Sequence, residues 1–285
     1  MCRWLAYHGD PIPIEALVFR RQHSLIDQSL RSRLGATTTN GDGFGLGWYD
    51  LGGGTPGVYR SVHPAWNDRN LRELAAHIVS PLFFAHIRAS TGTAVQETNA
   101  HPFRHGRWLF MHNGLVREFP RVRRDLLLAV EPELVPEIEG STDSELLFHL
   151  ALTFGLEDDP GTALERMAGL VEDVGEEHGI EHPLQMSVAV TDGERIVAAR
   201  YSSEGDSRSL YFSTRADVLK KQYPDIPELQ RLSDDARAIV SEPLGDLVGA
   251  WNEVPESSLG IVQRGGDELR PFTPRRGGAA TSGAA

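Results

Sequence analysis

Short apolar runs broken by polar turns open the chain, helical periodicities occupy its middle, and short runs return towards its end. Trp4–Tyr7 is apolar and aromatic and predicts a first strand, closed by Asp10-Pro11 and Pro13. Ile14–Phe19 predicts a short helix or turn, while Leu25–Leu34 has no decided period. From 41 to 49, glycines at 41, 43, 45 and 47 alternate with Asp42, Phe44, Leu46 and Trp48. A period of two places the glycines on one strand face and the large apolar side chains on the other. The glycine face then either accommodates a tight sheet packing or lets a ligand approach the backbone. Gly52–Gly57 predicts a turn and Val58–Val62 the returning strand. Asn70–Val79 carries Leu71, Leu74, Ala75 and Ile78 on one helical face, with Pro81 expected to stop it.

Leu82–Arg88 and Trp108–Gly114 read as buried strands that both end in polar groups, with a polar loop, Ala89–His101, after the first. Strands of that kind present a site at one edge of a sheet. Val122–Val130 is helical, and Thr142 with Glu145 forms a capping-box pattern that starts a helix near Asp143. Thr162–His178 is a long helix with an apolar stripe. Strands return at Gln185–Asp192, Arg195–Tyr201 and Ser209–Ser213, then a charged, irregular or helical stretch covers 214–235. Ala238–Ser241 and Trp251–Val254 read as edge strands, and Leu259–Arg264 as the last strand. The order predicts two sheets with helices on their outer faces, in one domain over residues 2–264. Residues 265–285, rich in Gly, Ala and Pro, read as a disordered tail.

Composition narrows the chemistry. A formal net charge of -12 over 285 residues argues against nucleic acid as a partner, since phosphate binding needs clustered Lys and Arg. No run approaches the apolar length of a membrane span and no secretion signal opens the chain, so the expected location is cytoplasmic, with no membrane partner. His86, His101, His105 and His112 lack a recognised ligand spacing, so neither a metal nor another cofactor is expected.

The single cysteine, Cys2, follows Met1 directly. Removal of Met1 would leave a thiol of pKa about 8.5 and an α-amine of pKa about 7.7–8.0 on one carbon, a nucleophile with a base built in. A lone cysteine is otherwise ordinary apolar filler. Position alone does not decide between the two.

Met1-Cys2-Arg3-Trp4, the segment Asn40–Tyr49, His86-Ile87-Arg88-Ala89, His112-Asn113-Gly114 and Thr142-Asp143-Ser144-Glu145 together resemble the class II glutamine amidotransferases, a branch of the N-terminal nucleophile hydrolases. The resemblance covers most of residues 2–213. It implies an α+β fold, a four-layer α/β/β/α sandwich of two mainly antiparallel sheets, and cleavage of a γ-glutamyl amide through a thioester. Carried over position by position, it makes Cys2 the nucleophile and Asn113 with Gly114 the oxyanion pair. Arg88 would grip the substrate α-carboxylate and Asp143 its α-ammonium. Asn40, Gly41 and Asp42 resemble the loop bordering the glutamine pocket, and His112 would border or shape the site. Physical chemistry supports these roles: Arg suits a bidentate carboxylate clamp, and Asn and Gly offer donors without bulk. Taken singly, Arg88 could be a buried ion-pair partner, Asn113-Gly114 a turn and Asp143 a helix cap.

The resemblance implies no cofactor and a substrate that is glutamine or a γ-glutamyl amide. No synthase domain fits in what remains of the chain, so ammonia would be released or passed to a separate synthase subunit. Stand-alone members of the family include the γ-glutamyl hydrolases of ergothioneine-type biosynthesis, one candidate activity. A catalytically inactive subunit is a further alternative, although none of Cys2, Arg88 and Asn113 is lost. An exposed sheet edge near the C-terminus would allow a homodimer.

Overall fold

The computed structural model describes residues 2–34, 39–90 and 92–277. Its strands are β1 (Arg3–Pro13), β2 (Phe44–Tyr49), β3 (Gly57–Ser61), β4 (Val79–Ile87), β5 (Phe103–His105), β6 (Trp108–Val116) and β7 (Leu184–Thr191). They continue with β8 (Arg195–Ser202), β9 (Tyr211–Ser213), β10 (Arg237–Val240), β11 (Trp251–Glu253), β12 (Ser258–Gln263) and β13 (Glu268–Pro271). The helices are α1 (Glu15–Val18), α2 (Leu25–Leu30), α3 (Arg69–His77), α4 (Phe119–Leu128), α5 (Asp143–Thr153), α6 (Pro160–Glu177), α7 (Ala216–Gln222) and α8 (Pro227–Gln230).

One sheet has the order β11-β9-β10-β1-β4-β2-β3 and the other β13-β12-β8-β7-β6-β5. Three apolar clusters define the layers. Phe110, Val188 and Val197 pack with α4, α5 and α6; Trp4, Phe84, Leu109, Met111 and Ile239 fill the space between the sheets; Leu5, Phe44 and Phe83 pack with α1–α3. Three interfaces make four layers, α/β/β/α, as expected from sequence. Each fully buried large apolar side chain in them contributes about 1.5–3 kcal/mol.

β1 is central, paired with β4 through Arg3↔Ile87 and with β10 through Leu5↔Val240, both antiparallel. Its alternation sends Trp4 and Ala6 into the inter-sheet space and Leu5 and Tyr7 to the outer helices. The glycine strand behaves likewise. Phe44 and Leu46 pack outward, while a Cβ on Gly47 would meet Leu109 and Pro102, and one on Gly45 would overlap the His101 carbonyl. What approaches these two glycines is the opposite sheet.

Several boundaries differ from the sequence expectation. β1 runs on through Pro11 to Pro13, and Pro81 lies inside β4 rather than ending α3. The β1–β4 register shifts between His8 and Ile12, and the β2 pairing ends at Leu82, so Pro81 faces no ladder partner that its missing N–H would deprive. α2, for which the sequence left no decision, begins at a Ser24/Asp27 capping box. β10 is interior, between β9 and β1, rather than an edge.

The tail boundary at 264 also moves. β13 pairs with β12 through Leu259↔Arg270, Phe272 is buried, and Arg270 and Arg275 both reach the buried carboxylate of Glu165 on α6. An apolar anchor and a carboxylate with two arginine partners hold a segment that composition alone leaves free. Residues 278–285 of the expected tail lie outside the described residues.

Candidate active site

Cys2 precedes β1 with the parity of Trp4 and Ala6, so the pleat turns it towards the inter-sheet space. On the other sheet Asn113 shares the parity of Leu109 and Met111 and faces the same space. The two meet: Asn113 Nδ2 donates to the Cys2 carbonyl at 3.0 Å. Arg3 Nη1 donates to the same oxygen at 2.9 Å. The Cys2 backbone is therefore pinned from both sides. Its Sγ rests on the Ala89 peptide, accepting from the N–H at 3.4 Å. Burial pushes the thiol pKa up, while that N–H and the Arg88 charge oppose the rise.

Arg3 has the opposite parity and points to the outer helices, where its Nε pairs with Glu242 at 3.0 Å. Glu242 also takes His23, the Ser32 hydroxyl at 3.0 Å, and the Arg33 and Leu34 N–H groups at 2.8 and 3.1 Å. Burial raises its pKa, but these donors and the Arg3 charge outweigh burial and hold the carboxyl below its ordinary value.

Asn113 and Gly114 do not form the turn that an Asn-Gly pair often makes. β6 continues through them to Val116, pairing them with Ser187 and Met186. A Cβ on Gly114 would overlap the Gln185 carbonyl and sit 2.5 Å from His112 Nε2, so only glycine fits. His112 Nδ1 bonds Ser144 Oγ at 2.8 Å. His86 reaches the His112 carbonyl at 3.3 Å, and its ring lies 4.1 Å from that of His101. Burial drives His86 to about 3 and pushes His101 and His112 below their ordinary value, so all three are neutral at pH 7.

Arg88 follows β4 and is buried. Its Nη2 donates to Thr93 Oγ1 at 2.7 Å and to the Ala94 carbonyl at 3.0 Å. Among the described residues Nη1 makes only a long contact with the Asp42 carbonyl, 3.5 Å. Nε and Nη1 keep donors for a ligand, each on its own edge of the guanidinium. Asp143 opens α5, where its Oδ2 accepts from Val116 N–H at 2.8 Å and Oδ1 from Ser144 N–H at 2.7 Å. Thr142 caps the helix as expected, but the Glu145 carboxylate binds the Glu139 and Gly140 N–H groups instead of closing the box.

Cys2, Arg88, His112, Asn113, Gly114 and Asp143 line one cleft of about 180 Å³. Three residues of the expected pocket loop do not. The Asn40 N–H binds Ser29, Gly41 packs against Trp66, and Asp42 acts from behind, its carboxylate holding Ser90 N–H at 2.7 Å. The loop braces the cleft wall. Sequence reasoning missed Thr93, which fixes Arg88, and Arg208, which lines the cleft from the segment between β8 and β9. No periodic or motif signal marks either.

A sequence profile of the family described as Glutamine amidotransferases class-II matches residues 20–270. The match begins after β1, so Cys2 lies outside it. A probable glutamine amidotransferase, DUG3, of Saccharomyces cerevisiae is 35% identical, over 95% of this chain and 84% of its own length. A gamma-glutamyl-hercynylcysteine sulfoxide hydrolase of Mycobacterium tuberculosis is 26% identical, over 97% of this chain and 99% of its own. The solved structure of a glutamine aminotransferase class-II domain protein from Silicibacter pomeroyi superposes with a TM-score of 0.72 at 35% identity, covering 96% of this chain and all of that one (100%).

Proposed function

The chain belongs to the class II glutamine amidotransferases, and from that membership we propose a stand-alone amidohydrolase that cleaves a γ-glutamyl amide through a Cys2 thioester. The observation that carries this reading is the backbone of Cys2, clamped between Arg3 and Asn113 with its thiol in the Arg88–Asp143 cleft. Arg88 takes the substrate α-carboxylate and Asp143 the α-ammonium. Once Met1, outside the described residues, is removed, the Cys2 α-amine accepts the thiol proton. The sulfur attacks the amide carbon, and Asn113 Nδ2 with the Gly114 N–H receives the oxyanion. Collapse expels the amine, which takes up the proton held by the Cys2 ammonium. Water then cleaves the thioester, giving glutamate and restoring the thiol. The neutral histidines contribute a dry, uncharged wall rather than a base. The Mycobacterium tuberculosis relative is named for one amide of this class, and a reducing cytoplasm would preserve the thiol.

Cys2→Ala tests the reading. The variant is expected to fold with an unchanged melting temperature and to release neither glutamate nor amine from any γ-glutamyl amide. Wild-type protein quenched during turnover should carry the mass of one γ-glutamyl group. Turnover by the variant would overturn the mechanism, and wild-type turnover only after addition of a second protein would overturn stand-alone hydrolysis.

A further inference from the structure

Arg208 is the cleft residue that the proposed chemistry leaves unused. It makes no hydrogen bond or ion pair with the described residues, and its Nε is sealed from solvent without a partner. Arg208 is partly exposed to the cleft, so its charge stands open to an anionic group there. The backbone around it is held firmly. Ser207 N–H donates to Glu256 at 3.0 Å and Ser209 Oγ to the Ser241 carbonyl at 2.8 Å. Gln185, opposite Leu115 on β6, donates to the Asp206 carbonyl at 2.7 Å, tying the segment to the strand that carries Asn113 and Gly114. Arg208 therefore stands on a fixed support, aimed at a space that the protein does not fill.

Its place relative to the thiol matters. Arg88 follows β4, which pairs with one side of β1, while Ser209, next to Arg208, bonds Ser241 just after β10, which pairs with the other side. Cys2, at the start of β1, stands between the two. If Arg88 and Asp143 hold the γ-glutamyl head on one side of the sulfur, the group beyond the scissile amide extends towards Arg208. Asp206, the nearby carboxylate, is exposed and makes no bond to the guanidinium.

We propose that Arg208 selects the leaving group, receiving a carboxylate carried by the departing amine, so that γ-glutamyl amides of amino acids or peptides are preferred to glutamine. This rests on the amidohydrolase reading above. Arg208 touches the part of the substrate that leaves and takes no part in forming or cleaving the thioester.

The test uses γ-glutamylglycine and γ-glutamylglycinamide, which differ in whether the leaving amine carries a carboxylate. A charge-assisted bidentate contact predicts a wild-type kcat/KM preference of about 10–100-fold for γ-glutamylglycine. Arg208→Gln should bring that ratio near one through γ-glutamylglycine alone, with glycinamide turnover and the melting temperature unchanged. Arg208→Lys should restore part of the preference. An unchanged ratio in Arg208→Gln, or an equal fall for both substrates, overturns the assignment while the amidohydrolase reading stands. A wild type that cleaves neither substrate nor glutamine overturns both.

Discussion

Arg88 enters the cleft with Nη2 already committed to Thr93 and Ala94, whereas Arg208 enters it with no hydrogen-bond partner among the described residues. Asp143 matches Arg88, each of its oxygens held by a backbone N–H before any ligand arrives. The Arg88–Asp143 end of the cleft is thus pre-organised, its charges aimed by the protein's own donors and acceptors. The other end keeps a charge waiting. Such a division suits a substrate class with one constant part and one variable part. Fixing the constant part in advance removes ordering cost from every binding event, and an unfilled guanidinium converts the variable part into a charge test.

The sharpest way to break this comparison is at the junction of the two ends. Asn113→Ala removes one of the two proposed oxyanion donors and should lower kcat by about 10²–10³-fold, with KM little changed. Steady-state kinetics should show the same factor for charged and neutral leaving groups; a loss confined to one class would mean that Asn113 belongs to one end rather than to the reacting centre. Next in size is Arg88→Lys. Lysine cannot hold Thr93 and Ala94 and still offer a ligand two further donors, so kcat/KM should fall by about 10–100-fold for every γ-glutamyl substrate. A fall selective for γ-glutamylglycine would assign Arg88 the role proposed for Arg208.

The smallest effect concerns pH. His86, pushed to about 3 by burial, is neutral in the folded protein, and His101 is held low by burial and by its histidine neighbours. In the unfolded chain both take up protons below about pH 6.5. The unfolded state then binds more protons, so stability is full above that value and is lost as pH falls from 6.5 towards 3. Melting temperature should decline over that window, and His101→Phe, which removes no hydrogen bond, should flatten the decline. Between pH 6.5 and 8 the wall stays uncharged, so the ratio of the two γ-glutamyl substrates should not move; a drift there would show a histidine charge reaching one of the arginines.

Much of the scaffold was legible because a period of two is a local signal. Trp4–Tyr7 and Leu82–Arg88 could be placed, and the glycine strand both placed and faced, from their own residues. The strand expected over Trp108–Gly114 runs on to Val116, because Asn113-Gly114 has a turn's composition while its partners across the ladder, Ser187 and Met186, are distant in sequence. Pro81 misled for a similar reason, since the bulge that tolerates it is made by residues 9–11 on another strand. The Ser24/Asp27 box was a readable signal. Arg208 was not, because the segment after β8 has no period and the residue's meaning comes from a partner it lacks. Glu242 carries no motif either, and its meaning comes from Arg3, at the other end of the chain.

That last contact also sets a schedule. Arg3 and Glu242 are 239 residues apart. At about 5–20 residues per second, a ribosome needs roughly 10–50 s to make the second after the first. During that interval β1 has neither its β10 neighbour nor the carboxylate that anchors Arg3, and the start of the chain is open to enzymes in its surroundings. On the proposed mechanism, the trimming that frees the Cys2 amine would meet a chain start not yet held by β10 and Glu242.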